Sequence, residues 1–489
     1  MSFFTSKFAV TLVTSAFLTI TPINAQLYNK TIQTTLGPVQ GYKYFTANVS
    51  EEYFGVSSSN VAAFLGIPYA ADTGYQNRWK PAQPREPWNE TLQATSFGPA
   101  CPTSSASGYV SEDCLSLNLW TNANSSSDKL PVLLWNQGSE EASDNSWWYG
   151  GGMAMKNVVM VTFNRRDDVL GYLATPELNA EGLATTGYNT SGNYGVLDQL
   201  EVLKWIQNNI ANFGGDPDSV TIAGQSFLHH KFTMQSTSGI RYPYDTLLAG
   251  LATSYITMER ALDFGVNYTA SQNYITALLC NDPLIFNPVL DGYVLPMKYL
   301  DQLIAGPAND VPLITGITKD ESGASTFLTL YNLTEYQEYN ALRWCNLSNT
   351  YFELYPADGN VTLANMAWIA GQRDVSLVNA PPGQDQGAFR QSEIMYALNA
   401  LYANTDKYPS TDEDYYIGKL MTGYWVNFIR TGNPNTDGAY TNGTLPHWYP
   451  NDGTSNYVME LGDVWGNHTV SPTANVDLIT SYFGQQTPY

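Results

Sequence analysis

Basic side chains and histidines are what this sequence has least of. Its 489 residues carry 22 lysines and arginines against 44 aspartates and glutamates, a formal net charge of −22, and only four histidines. That sign argues against nucleic acid and anionic membrane surfaces as partners, because both call for a basic face. Beyond the first 25 residues no apolar run approaches the length of a transmembrane helix. Internal repeats and long linkers are lacking. So are a metal-ligand cluster, a nucleotide loop and any cofactor motif, so neither metal nor cofactor is expected.

What is present begins with an address. Lys7 supplies a positive start, Phe8 to Ile20 is a short apolar run, and Ile23-Asn24-Ala25 ends on a small residue before Gln26. This is the pattern of a cleaved secretory signal over residues 1–25, which predicts a secreted, extracellular chain. Secretion gives meaning to eleven Asn-x-Ser/Thr acceptors, at Asn29, Asn48, Asn89, Asn124, Asn189, Asn267, Asn332, Asn346, Asn360, Asn442 and Asn467. Spread along a lysine-poor chain, they predict a glycosylated exterior. Four cysteines, Cys101, Cys114, Cys280 and Cys345, allow three pairings. In an oxidising compartment Cys101 and Cys114 are natural partners, and closing that short loop contributes about 3 kcal/mol.

Apolar runs and amphipathic stretches alternate along the chain. Leu130 to Trp135 and Val158 to Phe163 read as strands buried on both faces. Val196 to Phe213 reads as a helix, with Leu197, Leu200, Leu203, Ile206 and Ile210 on one stripe and Gly214-Gly215 and Pro217 ending it. Ser219 to Ala223 is a short strand running into Gly224-Gln225-Ser226, and Val311 to Ile317 is a further buried strand. The alternation implies an α/β fold with a large, mainly parallel central sheet and helices on both faces. Catalytic groups of such a sheet gather at the carboxyl ends of its strands.

Ser226, on a sharp strand-to-helix turn, stands where a hydrolase carries its nucleophile. The usual Gly-x-Ser-x-Gly keeps only its first glycine here, with Leu228 at the last position. The run Phe213-Gly214-Gly215-Asp216-Pro217, followed by Val220 to Ser226, closely resembles the serine signature of type-B carboxylesterases, the family of cholinesterases and fungal lipases. Glu112-Asp113-Cys114-Leu115-Ser116-Leu117-Asn118-Leu119 resembles its second signature. Phe64 to Ala70, Gly192 to Gln199 and Gly432-Asn433-Pro434 match in family order. The resemblance implies one α/β-hydrolase domain over residues 26–489, a Cys101–Cys114 disulfide, and a carboxylic-ester hydrolase with a Ser-Glu-His triad.

Carried over position by position, the triad is incomplete. Ser226 matches the nucleophile, and Glu321, in Lys319-Asp320-Glu321-Ser322-Gly323, matches the acid. The family writes its histidine in a phrase like Gly-Ala-Phe-His-x-Ser-Glu, and this chain reads Gly387-Ala388-Phe389-Arg390-Gln391-Ser392-Glu393. Arg390 stays protonated at any working pH and cannot take the serine proton. His229 and His230 follow Ser226 too closely to be expected as the base, His447 reads as structural, and His468 lies beside a glycosylation acceptor.

The family's oxyanion loop resembles Trp-x-His-Gly-Gly-Gly-Phe, and its last two glycines lend backbone N–H groups. Here Trp135-Asn136-Gln137-Gly138-Ser139-Glu140-Glu141 puts Ser139 and Glu140 at those positions. Glu140 and Glu141 add negative charge where a developing oxyanion needs positive potential. Phe227 holds the position of the third donor, and its ring crowds the acyl pocket. Gly150-Gly151-Gly152 lies too far downstream of the strand to replace the loop. Loss of one oxyanion donor costs about a hundred- to a thousandfold in rate, and loss of the triad base costs on the order of a millionfold. The chain therefore reads as a weak or inactive esterase whose ligand is a small-molecule ester or a hydrophobic compound. Two alternatives stay open: a non-catalytic binding or surface protein, for which the family has precedents, and an incomplete gene reading of an active esterase. The latter is suggested by Val289-Leu290-Asp291-Gly292 following Cys280 almost at once, where relatives carry some tens of residues. Cys280 is then either orphaned or paired with Cys345.

Overall fold

Side chains on a strand alternate between the two faces of a sheet, and here both faces are apolar. The computed structural model describes residues 26–46, 53, 60–103, 106–138, 141–224, 256–257, 288–296, 314, 332–357, 393–435, 445–450, 457–462, 464–469 and 472–483. Among the described residues, nine strands precede residue 225: β1 (Thr31–Gln33), β2 (Pro38–Gln40), β3 (Tyr42–Lys43), β4 (Ala62–Pro68), β5 (Leu92–Gln93), β6 (Ser116–Thr121), β7 (Leu130–Asn136), β8 (Val159–Phe163) and β9 (Gly215–Gly224). Six of them form one sheet in the order β3-β4-β6-β8-β7-β9. The crossovers make β8, β7 and β9 parallel, and β3, β4 and β6 extend the sheet antiparallel. β1, β2 and β5 form a separate small sheet.

Val132, Leu134, Val159, Val161 and Phe163 point into one core, where Val202, Trp205, Ile206 and Ile210 pack. Leu133, Trp135 and Met160 point into the other, against Ile394, Leu398, Val426 and Ile429. The helices on the two faces include α4 (Tyr194–Asn209) on the first and, on the second, α1 (Gly151–Ala154), α7 (Ile394–Ala397) and α8 (Asp412–Thr431). Short helices α2 (Asp168–Tyr172) and α3 (Pro176–Thr186) lead from β8 to α4. A third, aromatic cluster of Tyr336, Trp344, Tyr351 and Tyr355 joins α5 (Leu333–Trp344), α6 (Ser348–Leu354) and α9 (Thr473–Phe483).

The strands expected at Leu130 and Val158 form within a residue of their expected ends. The third is longer than expected, because the Gly215-Asp216-Pro217 segment already belongs to β9. The helix expected over Val196–Phe213 forms as α4 followed by a 3-10 turn at Ile210–Phe213, and it ends at Gly214 in a left-handed conformation, φ 80. Its buried stripe matches the expected one at Ile206 and Ile210 and departs from it toward the start of the helix. Asp198, Gln199, Val202, Trp205, Ile206 and Asn209 are buried, whereas Leu197, Leu200 and Leu203 are only partly covered. Asp198 is held inward by its ion pair with Arg166. The Val311–Ile317 strand falls almost wholly outside the described residues. Cys101 and Cys114 are joined by a disulfide, Cα–Cα 5.1 Å, and Cys280 lies outside the described residues.

Candidate active site

Three parallel strands end together. β7 closes on Asn136, in register with Gly224 at the end of β9, and Trp135 of β7 is in register with Thr162 of β8. The segment leading to the expected oxyanion turn therefore starts beside the segment leading to Ser226. Gly224 is required at this point, because a Cβ there would overlap the Asn136 carbonyl.

Polar side chains hold the strand ends in place. Asn118, wholly buried on β6, accepts from the Gly66 N–H at 2.9 Å and donates to Ser143 Oγ and Thr162 Oγ1, each at 3.0 Å. Asn164 accepts from the Ser143 N–H at 2.8 Å and donates to the Pro99 carbonyl at 2.8 Å. The Gln137 amide donates to the Phe163 carbonyl at 2.6 Å. Buried polar groups of this kind are costly unless each finds a partner, and a linked set rigidifies what it joins.

Two buried guanidiniums follow β8. Arg165 donates from Nη1 to Asn136 Oδ1 and to the Gln137 carbonyl, both at 3.0 Å, and from Nη2 to the Gly138 carbonyl at 3.1 Å. It also pairs with Asp167 at 3.1 Å, the two side chains being 1% and 3% exposed. Arg166 grips Asp198 through its own backbone N–H at 3.0 Å, Nε at 2.8 Å and Nη2 at 2.6 Å. Burial alone would lower the Arg166 pKa, but the Asp198 carboxylate outweighs it and raises it. Burial, with Asp198 adding to it, pushes the Tyr69 phenol well above its usual value. Burial and Asp167 do the same for Tyr172. Both phenols stay neutral at neutral pH, so neither is placed to serve as a base.

A cavity of about 290 Å³ opens at this edge of the sheet. Its wall runs from the Cys101 loop to Glu141 and Asp144 and on to Asn164, Arg165 and Asp167. Its lining is mixed, with Ala100, Ala106 and Ala142 beside the charged side chains.

Ser226, Glu321 and Arg390 lie outside the described residues, as do Ser139, Glu140 and Phe227 and the neighbouring His229 and His230. Gly138, Glu141 and Gly224 are the described residues that flank them. Of the other histidines, His447 is exposed and stacks edge-on against Tyr449, and His468 lies 3.5 Å from Glu460 on a surface hairpin. Gly150, Gly151 and Gly152 pack into the second core against Met160, Tyr44 and Asn399. Among the acceptor asparagines, Asn29, Asn89, Asn124, Asn189, Asn332 and Asn346 are exposed and Asn467 is half-buried. Asn48, Asn267, Asn360 and Asn442 lie outside the described residues.

Sequence reasoning missed Arg165, Asp167 and the Asn118–Asn164 network. One signal was available: Arg165-Arg166-Asp167-Asp168 puts four charges directly after a strand buried on both faces. Charges in that place are either surface charges or buried pairs, and only the fold says which.

The model of the carboxylesterase family matches residues 28–227 and 349–466, more than half of the chain. The chain belongs to the carboxylesterase family. The matched segments take in Ser226 and Arg390 and leave Glu321 between them. The chain is 29% identical to the fumonisin B1 esterase of Sphingopyxis macrogoltabida over 448 residues, 80% of this chain and 81% of that one. It is 28% identical to carboxylesterase 1D of Rattus norvegicus over 495 residues, 81% and 85% of the two chains. The crystal structure of a Geobacillus stearothermophilus carboxylesterase superposes with a TM-score of 0.63 at 24% identity, covering 86% of this chain and 93% of that one. The α/β-hydrolase fold expected for this carboxylesterase-family chain is thereby established. No described helix is long and apolar enough to cross a membrane.

Proposed function

We propose that this chain is a secreted glycoprotein, a single hydrolase domain over residues 26–489, built for carboxylic-ester hydrolysis and impaired in it. Ser226 is the nucleophile, Glu321 the acid and Arg390 the occupant of the base position. The observation that carries this reading is Arg390 inside an otherwise intact Gly387–Glu393 phrase. A permanent cation cannot accept the serine proton. It does complement Glu321, and a charge-assisted Arg390–Glu321 contact is the arrangement we expect where a His–Glu hydrogen bond would lie. The oxyanion positions Ser139, Glu140 and Phe227 lower the rate further, because Glu140 and Glu141 oppose the charge that develops in the transition state.

Hydrolysis of a chromogenic short-chain ester tests this. The expected rate is at least about a thousandfold below that of an intact family member assayed alongside. The residual rate is expected to vanish in Ser226→Ala. A rate equal to the intact member's would overturn the claim of impairment. A residual rate indifferent to Ser226→Ala would overturn the assignment of the nucleophile. The second reading is a binding protein without turnover, which the replacement of the base by Arg390 allows equally. Saturable binding of an ester that is never cleaved would support it.

A further inference from the structure

Tyr188 and Tyr293 come from distant parts of the chain and meet on the surface. They are 50% and 41% exposed, with ring centroids 4.6 Å apart and planes at 32°. Scattered surface rings are ordinary, but two that meet make an apolar step with open faces. Both rings are held from behind. α3 ends at Gly187, left-handed at φ 80, and Tyr188 follows directly. The Thr190 hydroxyl donates to the Asp291 carboxylate. That carboxylate also accepts the N–H groups of Tyr293, Val294 and Leu295 at 3.0, 2.9 and 2.9 Å. Asn193 and Val289 exchange two hydrogen bonds of 2.8 Å. A ring pair fixed in this way loses little freedom when something lies on it.

Asn189 stands next to that step. The Thr190 N–H donates to the Tyr188 carbonyl at 2.9 Å, a tight turn with Asn189 at its crest. Asn189 is exposed, whereas Thr190 and Ser191 are buried, so the chain turns inward as soon as it has passed the asparagine. Asn189-Thr190-Ser191 is one of the glycosylation acceptors. Consecutive Cα atoms are about 3.8 Å apart, so a sugar on Asn189 begins within reach of the Tyr188 ring. A pyranose carries hydroxyls round its edge and C–H groups on its face. Those hydrogens are slightly positive, and the face of an aromatic ring is negative. Tyr28 and Trp88 likewise precede the acceptors Asn29 and Asn89, but both pack against the first core. Tyr188 packs against a ring that is itself exposed.

We propose that the Tyr188–Tyr293 step is the seat of the Asn189 glycan, whose core N-acetylglucosamine lies with its C–H face on the rings. The sugar's presence rests on the glycoprotein reading, and its seat rests on the geometry. Seated there, the glycan covers an apolar patch and pins the segment between α3 and α4 to the Val289–Leu295 turn.

The test uses the full chain expressed through a eukaryotic secretory route. Site-resolved mass spectrometry first gives the occupancy of Asn189. Hydroxyl-radical labelling then compares Tyr188 and Tyr293 in wild type and in Asn189→Gln, with the exposed Tyr75 and Tyr416 as references. Labelling of the pair is expected to rise at least threefold in the variant with the references unchanged. The reciprocal measurement uses Tyr293→Ser, which leaves the acceptor triplet intact. Endoglycosidase release of the Asn189 glycan is expected to quicken at least threefold, with release at Asn89 unchanged. A pair labelled equally with and without the glycan overturns the seat. So does release from Asn189 that is indifferent to Tyr293→Ser, since the glycan would then lie near the rings without resting on them. Protection of the pair that depends on protein concentration assigns the patch to a second copy of the chain and also overturns it. A chain without glycan at any acceptor defeats the glycoprotein reading itself, whereas occupancy elsewhere with Asn189 bare defeats only the seat.

Discussion

Gly224 and Asn136 are the last register pair of β9 and β7, and a Cβ on Gly224 would overlap the Asn136 carbonyl and lie 3.0 Å from the Asn136 Cβ. The approach fixes the spacing between the strand that leads to Ser226 and the strand that leads to Gly138. Gly224→Ala must push the two apart. The expected cost is about 1–3 kcal/mol, that of overpacking a tight site. It is read as a lowered urea midpoint, and an unchanged midpoint would mean the strands part without strain.

Arg166 and Asp198 form an ion pair with side chains 2% and 0% exposed. Asp198→Asn leaves a buried guanidinium without its counter-charge, and the expected loss is about 3–5 kcal/mol in urea unfolding. Arg166→Met combined with Asp198→Leu removes both charges and should recover a large part of that loss. A double variant no better than the single would show that the cost lies in packing rather than in charge.

Acid should loosen the start of α8. Thr411 caps this helix, donating its backbone N–H at 2.6 Å and its hydroxyl at 2.7 Å to the Asp414 carboxylate, which also accepts from the Tyr396 hydroxyl at 2.7 Å. Burial works to raise the Asp414 pKa, but these hydrogen bonds outweigh it and hold it below the ordinary 3.8. A depressed carboxylate pKa stabilises the fold above the unfolded value, and that contribution is lost as pH falls through the folded value. The melting temperature of Asp414→Asn should therefore lie below wild type at pH 7, and the gap should close as pH falls below about 4. Thr411→Ala is expected to cost about 1 kcal/mol at neutral pH.

Glycan occupancy should follow exposure. After expression through a eukaryotic secretory route, glycopeptides are expected at Asn29, Asn89, Asn124, Asn189, Asn332 and Asn346, the exposed acceptors. Asn467 is half-buried on a hairpin strand, and its Nδ2, the atom a glycan would occupy, donates to the His447 carbonyl at 2.9 Å. Mass spectrometry should find it the least occupied of the seven, and full occupancy there would break the link with exposure.

The strand at Leu130 was legible because a run of large apolar residues without polar alternation has to be buried on both faces. The strand at Val158 follows the same rule. The stripe on α4 was legible only in part. Hydropathy placed it on Leu197, Leu200, Leu203, Ile206 and Ile210, of which Ile206 and Ile210 are buried, while the fold also turned Asp198 and Asn209 inward. A scale that counts charge as solvent-seeking cannot anticipate a carboxylate whose partner lies 32 residues earlier. For the candidate site, the residues proposed as nucleophile and as occupant of the base position, Ser226 and Arg390, were readable as residue identities. The hold of Arg165 on Gln137 and Gly138 was not, because nothing in Asn164-Arg165-Arg166-Asp167 says toward which strand each side chain will reach.

By itself, then, the sequence determined the family and the strands at Leu130, Val158 and Ser219, since each of these depends on which residues stand in a local phrase. Only the tertiary structure decided which charges are buried and what they hold. Arg165 and Arg166 are neighbours in the chain, yet one fastens the end of β7 and the other the N-terminal part of α4. Burial and pairing are set by how the strands and helices pack, and that information is spread over the whole chain rather than written at either residue.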